Sequence, residues 1–218
     1  MATTTPTGQR GHPRPRRRTC VSRTTTPAPW ACVTDAATFA QHLHAGRRHI
    51  EVRRTALDPD QTELINLGAI PTDVEVRIAG RAAVLVIAGA VHATDTAHVE
   101  AHGTTTVHTY GRASATGFDT TTLTGHHHSQ LQLCDRARAT ALDNSTVIAW
   151  DPTPTINAGD HTTVIIAAPT LDSTAQFHPR ADAHLYTAID CTPPGTARHH
   201  ITHTPDPFAT TGVEPAHQ

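Results

Sequence analysis

Between Asp95 and Ala158 the chain repeats every eight residues without a slip, and the first position of each octad is Asp95, Gly103, Gly111, Asp119, His127, Asp135, Asp143 or Asp151. The third, fifth and seventh positions are small or aliphatic, as in Ala97-Val99-Ala101, Thr105-Val107-Thr109 and Ser145-Val147-Ala149. The positions between them are mostly polar. Alternation with period two is the mark of a strand, and alternation restarted by Gly or Asp at every eighth residue describes a strand that turns a corner and begins again. A fixed repeat of this kind predicts a solenoid.

The corner residues follow from backbone sterics. A tight corner needs either a positive φ, which Gly supplies, or a side chain that bonds its own backbone, which Asp supplies. Two octads per coil give a flattened, two-sided solenoid with coils about 4.8 Å apart, so the eight octads make four coils. A triangular coil of three octads would enclose more interior than Ala, Gly and Thr can fill, at roughly 24 cal/mol per Å³ of void. In the two-sided register the eighth positions form two edge ladders, His102-Phe118-Cys134-Trp150 and Tyr110-His126-Leu142-Ala158. Aromatic residues are only 4% of the chain. That is thin for a globule but workable where small side chains stack coil upon coil.

The whole chain divides into three parts, the octads lying within the second. Residues 1–30 carry Pro6, Pro13, Pro15, Pro27 and Pro29 among Thr and Arg, with no apolar periodicity, and read as a disordered basic arm. Residues 31–191 form the solenoid domain. It opens with a capping helix over 35–45, which has an N-cap signal at Thr34-Asp35, apolar Ala36, Ala37, Phe39, Ala40 and Leu43 at helical spacing, and Gly46 at the C-terminal cap. The first strand is expected directly after it, around Ile50 and Val52. Val74-Val76-Ile78 and Val84-Val86-Ala88 predict larger-cored early coils, and Ala183 to Ile189 is the last strand expected. Residues 192–218, with Pro193, Pro194, Pro205, Pro207 and Pro215, read as a Pro-rich tail.

The octads Asp95–His102, Gly103–Tyr110 and Asp143–Trp150 resemble the tandem Ala-Thr-Val-x-Ala-Tyr-Gly-Ser type repeats of actinobacterial and phage proteins. Leu185-Tyr186-Thr187-Ala188-Ile189-Asp190 is similar to a segment that often follows such arrays. The resemblance covers about residues 74–190. It implies a parallel β-solenoid and no settled activity. All seventeen basic residues are arginine, as high-GC codons would give.

Several groups invite chemistry. Of eighteen histidines, His126 and His128, expected on one strand face, are the pair to hold a zinc or nickel ion, although no paired-ligand motif fixes a site and polar filler is the plainer reading. Asp119, Asp135 and Asp151 should line one edge and Asp95 and Asp143 the other. Stacked carboxylates suggest calcium, but the paired glycines and nine-residue period of calcium-binding β-rolls are missing, which leaves corner hydrogen bonds. Outward Thr104, Thr106, Thr120, Thr122, Thr124 and Thr140 make a partial Thr-x-Thr surface of the ice-binding kind, interrupted by His108, Arg136 and Arg138. Carboxylates on a strand-lined groove would suit a carbohydrate-acting β-helix, yet Glu and sugar-stacking aromatics are few in the repeats.

Partners are constrained more than they are identified. A net charge of −2 makes the whole chain no trap for nucleic acid or anionic membrane, so nucleic acid enters only through Arg14, Arg16, Arg17 and Arg18. Cys20, Cys32, Cys134 and Cys191 show no zinc or redox spacing, and no cofactor is implied. No apolar stretch follows the arginines as in a secretory signal, and none could span a bilayer, so the expected location is the cytoplasm or a phage particle. The sequence points to a non-catalytic scaffold or binding protein with a protein or glycan partner. A carbohydrate-binding or carbohydrate-acting β-helix is the alternative, followed by an ice-binding protein.

Overall fold

A computed structural model describes residues 29–55, 63–168, 172, 174–180 and 182–187. The arginine cluster, Cys20, Cys191 and the Pro-rich tail lie outside the described residues. The elements run β1 (Ala31–Val33), α1 (Ala36–His44), β2 (His49–Arg54), β3 (Ile65–Ala69), β4 (Glu75–Gly80), β5 (Ala83–Ala88) and β6 (Ala90–Ala93). There follow β7 (His98–Ala101), β8 (Thr106–Thr109), β9 (Ser114–Gly117), β10 (Thr122–Gly125), β11 (Gln130–Leu133) and β12 (Arg138–Ala141). The last are β13 (Thr146–Ala149), β14 (Thr155–Ala158), β15 (Thr163–Ile166), β16 (Gln176–Pro179) and β17 (His184–Thr187).

Alternate strands build two parallel sheets. The first holds β1 and then β2, β4 and every even strand to β16, and the second holds the odd strands from β3 to β17. The molecule is a two-sided parallel β-solenoid of about eight turns. In the regular part Thr106 pairs with Thr122 and Thr122 with Arg138, a step of sixteen residues per coil. The third, fifth and seventh residues of each octad up to Trp150 point between the sheets, so Val99, Val107, Ala115, Leu123, Leu131, Ala139 and Val147 are buried in one continuous core.

Each corner is one β-turn. The N–H of the third residue donates to the carbonyl of the eighth residue before it, as Thr105 to His102, Ala113 to Tyr110, Thr121 to Phe118 and Ser145 to Leu142. The residue after that carbonyl has a positive φ at Asp95, Gly103, Gly111, Asp119, His127, Asp135 and Asp143. Left-handed backbone costs an ordinary L-residue about 1–2 kcal/mol and is tolerated best by Gly, Asn, Asp and His. That preference selects the residue types at the corners.

The N-terminal end is closed by α1. Asp35 caps the helix, its Oδ1 accepting from the Thr38 N–H at 2.8 Å, and Gly46 follows the C-cap with φ of 75°. The helix contacts β1, β2 and β3, and Phe39, 1% exposed, joins the core. The first strand is β1, ahead of the helix and parallel to β2, with Ala31 opposite Ile50. Strand formation therefore starts before the helix and not after it.

At the other end the register changes. Arg138 pairs with Thr155 and Ala141 with Ala158, seventeen residues apart, so the stretch after Trp150 carries one residue more than an octad. Pro154, Ile156 and Ala158 point inward there, and Gly159 takes the place expected for Ala158 beside Leu142. Thr155 to Gln176 is a step of twenty-one, yet β15, β16 and β17 still pair in order.

Candidate functional site

The corner carboxylates do not bond their own turns, with one exception. Each reaches back one coil to the backbone N–H of the equivalent corner. Asp95 Oδ2 accepts from Gly80, Asp119 Oδ2 from Gly103 at 2.9 Å, Asp135 Oδ2 from Asp119 at 3.4 Å, and Asp143 Oδ2 from His127 at 3.0 Å. His127 fills the same role with a ring nitrogen, Nδ1 accepting from Gly111 at 3.3 Å. The exception is Asp151, whose Oδ1 takes the Thr153 N–H and hydroxyl at the register change. Asp119, Asp135 and Asp151 line an open groove along one edge together with Thr120, Arg136, Pro152 and Thr153.

The edge ladders form where aromatic rings meet. His102 stacks on Phe118 with centroids 4.6 Å apart and planes within 9°, and Tyr110 stacks on His126 at 4.7 Å and 7°. His102 Nε2 is 2.9 Å from Glu100 Oε1. Further along the first ladder Cys134 is half-buried, and Trp150 stands 49% exposed.

His126 and His128 do not share a strand face. They flank the His127 corner, with the His126 ring on Tyr110 and the His128 backbone N–H on the Gly111 carbonyl. Among the described residues no three His, Cys, Asp or Glu side chains converge as metal ligands would.

The threonines separate into two groups. Thr106, Thr122, Thr124 and Thr140 lie on the outer face of the even-strand sheet, with Thr106 beside Thr122 and Thr124 beside Thr140. His108 and Arg138 continue those columns, so the patch is two strands wide in each column. Thr104 and Thr120 sit at corners, where the Thr120 hydroxyl donates to the Gly103 carbonyl at 2.9 Å.

Two features of the outer faces escape a residue-by-residue reading. His92 and His108 are sequence neighbours at a step of sixteen and stack at 5.2 Å, 16° from parallel. Burial, with His92 and His126 nearby, holds the His108 ring below its ordinary pKa of 6.5. Counting sixteen back from His108 would have found the pair. On the odd-strand sheet the outward column changes from Glu100, Thr116 and Gln132 to Ile148, Ile165 and Tyr186, a switch from polar to apolar toward the C-terminal end.

Near the first coils Arg77 lies 4.6 Å over the Trp30 ring and 3.8 Å from Glu51, whose other oxygen pairs with Arg53. No helix among the described residues is long and apolar enough to cross a membrane. Comparison of the chain with protein-family models, with curated proteins and with solved structures finds no match to any of them.

Proposed function

We propose that this chain is a non-catalytic scaffold, a stiff rod whose flat faces meet a protein or glycan partner, in an actinobacterium or a phage particle. The observation that carries this reading is the corner ladder. Side chains of successive coils tie corner to corner, adding to the backbone hydrogen bonds that cross there, such as Thr120 N–H to the Gly103 carbonyl, so the stack resists bending at its corners. Asp119, Asp135 and Asp143, carboxylates of the kind a hydrolytic β-helix would use, are engaged in that ladder. The outward Ile148, Ile165 and Tyr186, next to exposed Trp150, give the odd-strand face the apolar-and-aromatic character of a contact surface.

Stiffness is measurable in the full chain. With Cys20, Cys134 and Cys191 changed to serine, spin labels on Cys32 and on Gln176→Cys span the even-strand sheet, whose nine strands at about 4.8 Å spacing extend roughly 38 Å. One narrow distance near that value is expected. A broad distribution would remove the rod.

A glycan-binding reading has one observation in its favour: Trp150 immediately precedes Asp151 of the carboxylate-lined groove. Tryptophan beside acidic and hydroxyl groups suits the apolar face and rim of a sugar. Fluorescence titration with oligosaccharides separates the two. A saturating change lost in Trp150→Ala would favour glycan binding, and sugar release lost in Asp135→Asn would refute the non-catalytic reading.

A further inference from the structure

Parallel strands in register repeat each position once per coil, so equivalent residues share a column with about 4.8 Å between neighbours. On the outer face of the even-strand sheet one column runs Glu51, Arg77, His92, His108, Thr124 and Thr140. His92 of β6 stands opposite His108 of β8. In no other strand pairing among the described residues do two histidines face each other.

Both rings are half-buried, with centres 5.2 Å apart and planes 16° from parallel. Tyr110 walls one side, 6.3 Å from His92, and His126 stacks behind Tyr110 at 4.7 Å. Several other histidines engage a ring nitrogen with the protein: His49 with Glu75, His98 with Ser114, His102 with Glu100 and His127 with the Gly111 N–H. The ring nitrogens of His92 and His108 bond to no described residue. Burial holds the His108 ring below its ordinary pKa, which keeps it neutral and leaves one nitrogen with a free lone pair at pH 7.

We propose that His92 and His108 form a two-nitrogen site for a transition-metal ion of the zinc(II), nickel(II) or copper(II) class. Imidazole holds such ions at about 2.0–2.1 Å, so two imidazoles on one tetrahedral ion have ring centres roughly 5 Å apart. The pair already stands at that separation, and turning the rings out of the stack aims one nitrogen of each at a common point. Neutral imidazole suits all three ions, with copper(II) the tightest of them. Because the sheet fixes both strands, the ion does not have to gather its ligands. Arg77, the next residue in the column, lies over Trp30 and 3.8 Å from Glu51, so its charge has a counter-ion of its own. The remaining coordination positions stay open to water or to a donor group of a molecule lying on this face.

Thermal unfolding of the full chain with and without nickel(II) tests this. An ion that binds the folded site raises the melting temperature, by roughly 3–6 °C at ten times its Kd for a chain of this size. With eighteen histidines in the chain, the readout is the difference between variants. The rise should appear in wild type and in His128→Ala, and it should be lost in His92→Thr and in His108→Thr separately, since each removes one of two ligands. Metal-free melting shows that each variant folds, and glutamine at the same position serves where threonine does not fold. No rise in wild type would overturn the proposal and leave the two rings as packing. A rise that survives in either single variant would overturn it too, as would loss in His128→Ala, which would move the ion to the His127 corner.

Discussion

The Oδ2 atom of Asp119 accepts a hydrogen bond from the backbone N–H of Gly103, 2.9 Å away and one full coil earlier. Asp119 itself sits at φ of 56°. One residue therefore meets two demands, a left-handed corner and a partner for the corner below.

Substitutions at position 119 separate those demands. Asn keeps an acceptor oxygen and tolerates left-handed backbone, so Asp119→Asn should change the denaturation midpoint little. Gly keeps the backbone and loses the bond, a cost of about 1 kcal/mol. Ala loses both, adding about 1–2 kcal/mol of backbone strain. The order Asn, Gly, Ala in urea denaturation is the expected outcome, and an Asn variant as weak as Ala would show that the charge and not the hydrogen bond matters.

How much of this was legible depends on how many residues each feature needs. The corners and the inward columns recur many times, so Asp119, Asp135 and Asp143 declared themselves by spacing alone. Likewise α1 was legible from Asp35, Phe39 and Gly46. By contrast β1 has three residues, too few for an alternation to be seen, and β16 offers only Phe177 as a large inward residue before Pro179. The extra residue after Trp150 was hidden because Asp151 falls on the expected first position of an octad while bonding Thr153 like an ordinary turn. The far ends of the Asp119, Asp135 and Asp143 bonds lie sixteen residues back and that of Asp95 fifteen, and no local pattern records them.

Core complementarity gives a second prediction. Gly117 and Gly125 occupy inward positions where the other coils carry Ala, Thr or Leu. An added Cβ at Gly117 would run into Thr121 Oγ1 and lie 3.1 Å from Leu123 Cδ1, and at Gly125 it would lie 2.8 Å from Ser129 Oγ and 3.1 Å from Leu131 Cδ1. Leucine fills the space that glycine leaves. Gly117→Ala should destabilise by about 1–3 kcal/mol through overpacking. Combining it with Thr121→Ala removes the obstructing hydroxyl, so the double variant should lose less than the sum of the singles in a thermodynamic cycle.

Buried hydroxyls at the third octad position give a third. Thr105 and Ser145 donate to the carbonyls of His102 and Leu142 at 2.7 Å, whereas Thr121 Oγ1 and Ser129 Oγ are buried without a partner. Replacing a satisfied hydroxyl by methyl forfeits about 1 kcal/mol, and replacing an unsatisfied one relieves a desolvation cost of similar size. Thr105→Val should therefore lower the melting temperature and Thr121→Val raise it. Equal losses in both would mean that Thr121 is satisfied in solution.

Acid should loosen the stack through particular histidines. Burial lowers the pKa of His98, which lies 2.9 Å from Ser114 Oγ, and burial with neighbouring His92 and His126 lowers that of His108. A base whose folded pKa is depressed is fully stabilising above its unfolded value of about 6.5, and that stability drains away as pH falls from there toward the folded pKa, because the unfolded chain then binds more protons. The loss is expected below neutrality, not above it. Melting curves at pH 7.5 and pH 5 should show a clear drop for wild type. His98→Gln and His108→Thr should each narrow the gap, since glutamine can still reach Ser114 and threonine would extend the Thr124–Thr140 column. Equal melting temperatures at the two pH values in wild type would exclude these rings as the acid-sensitive element.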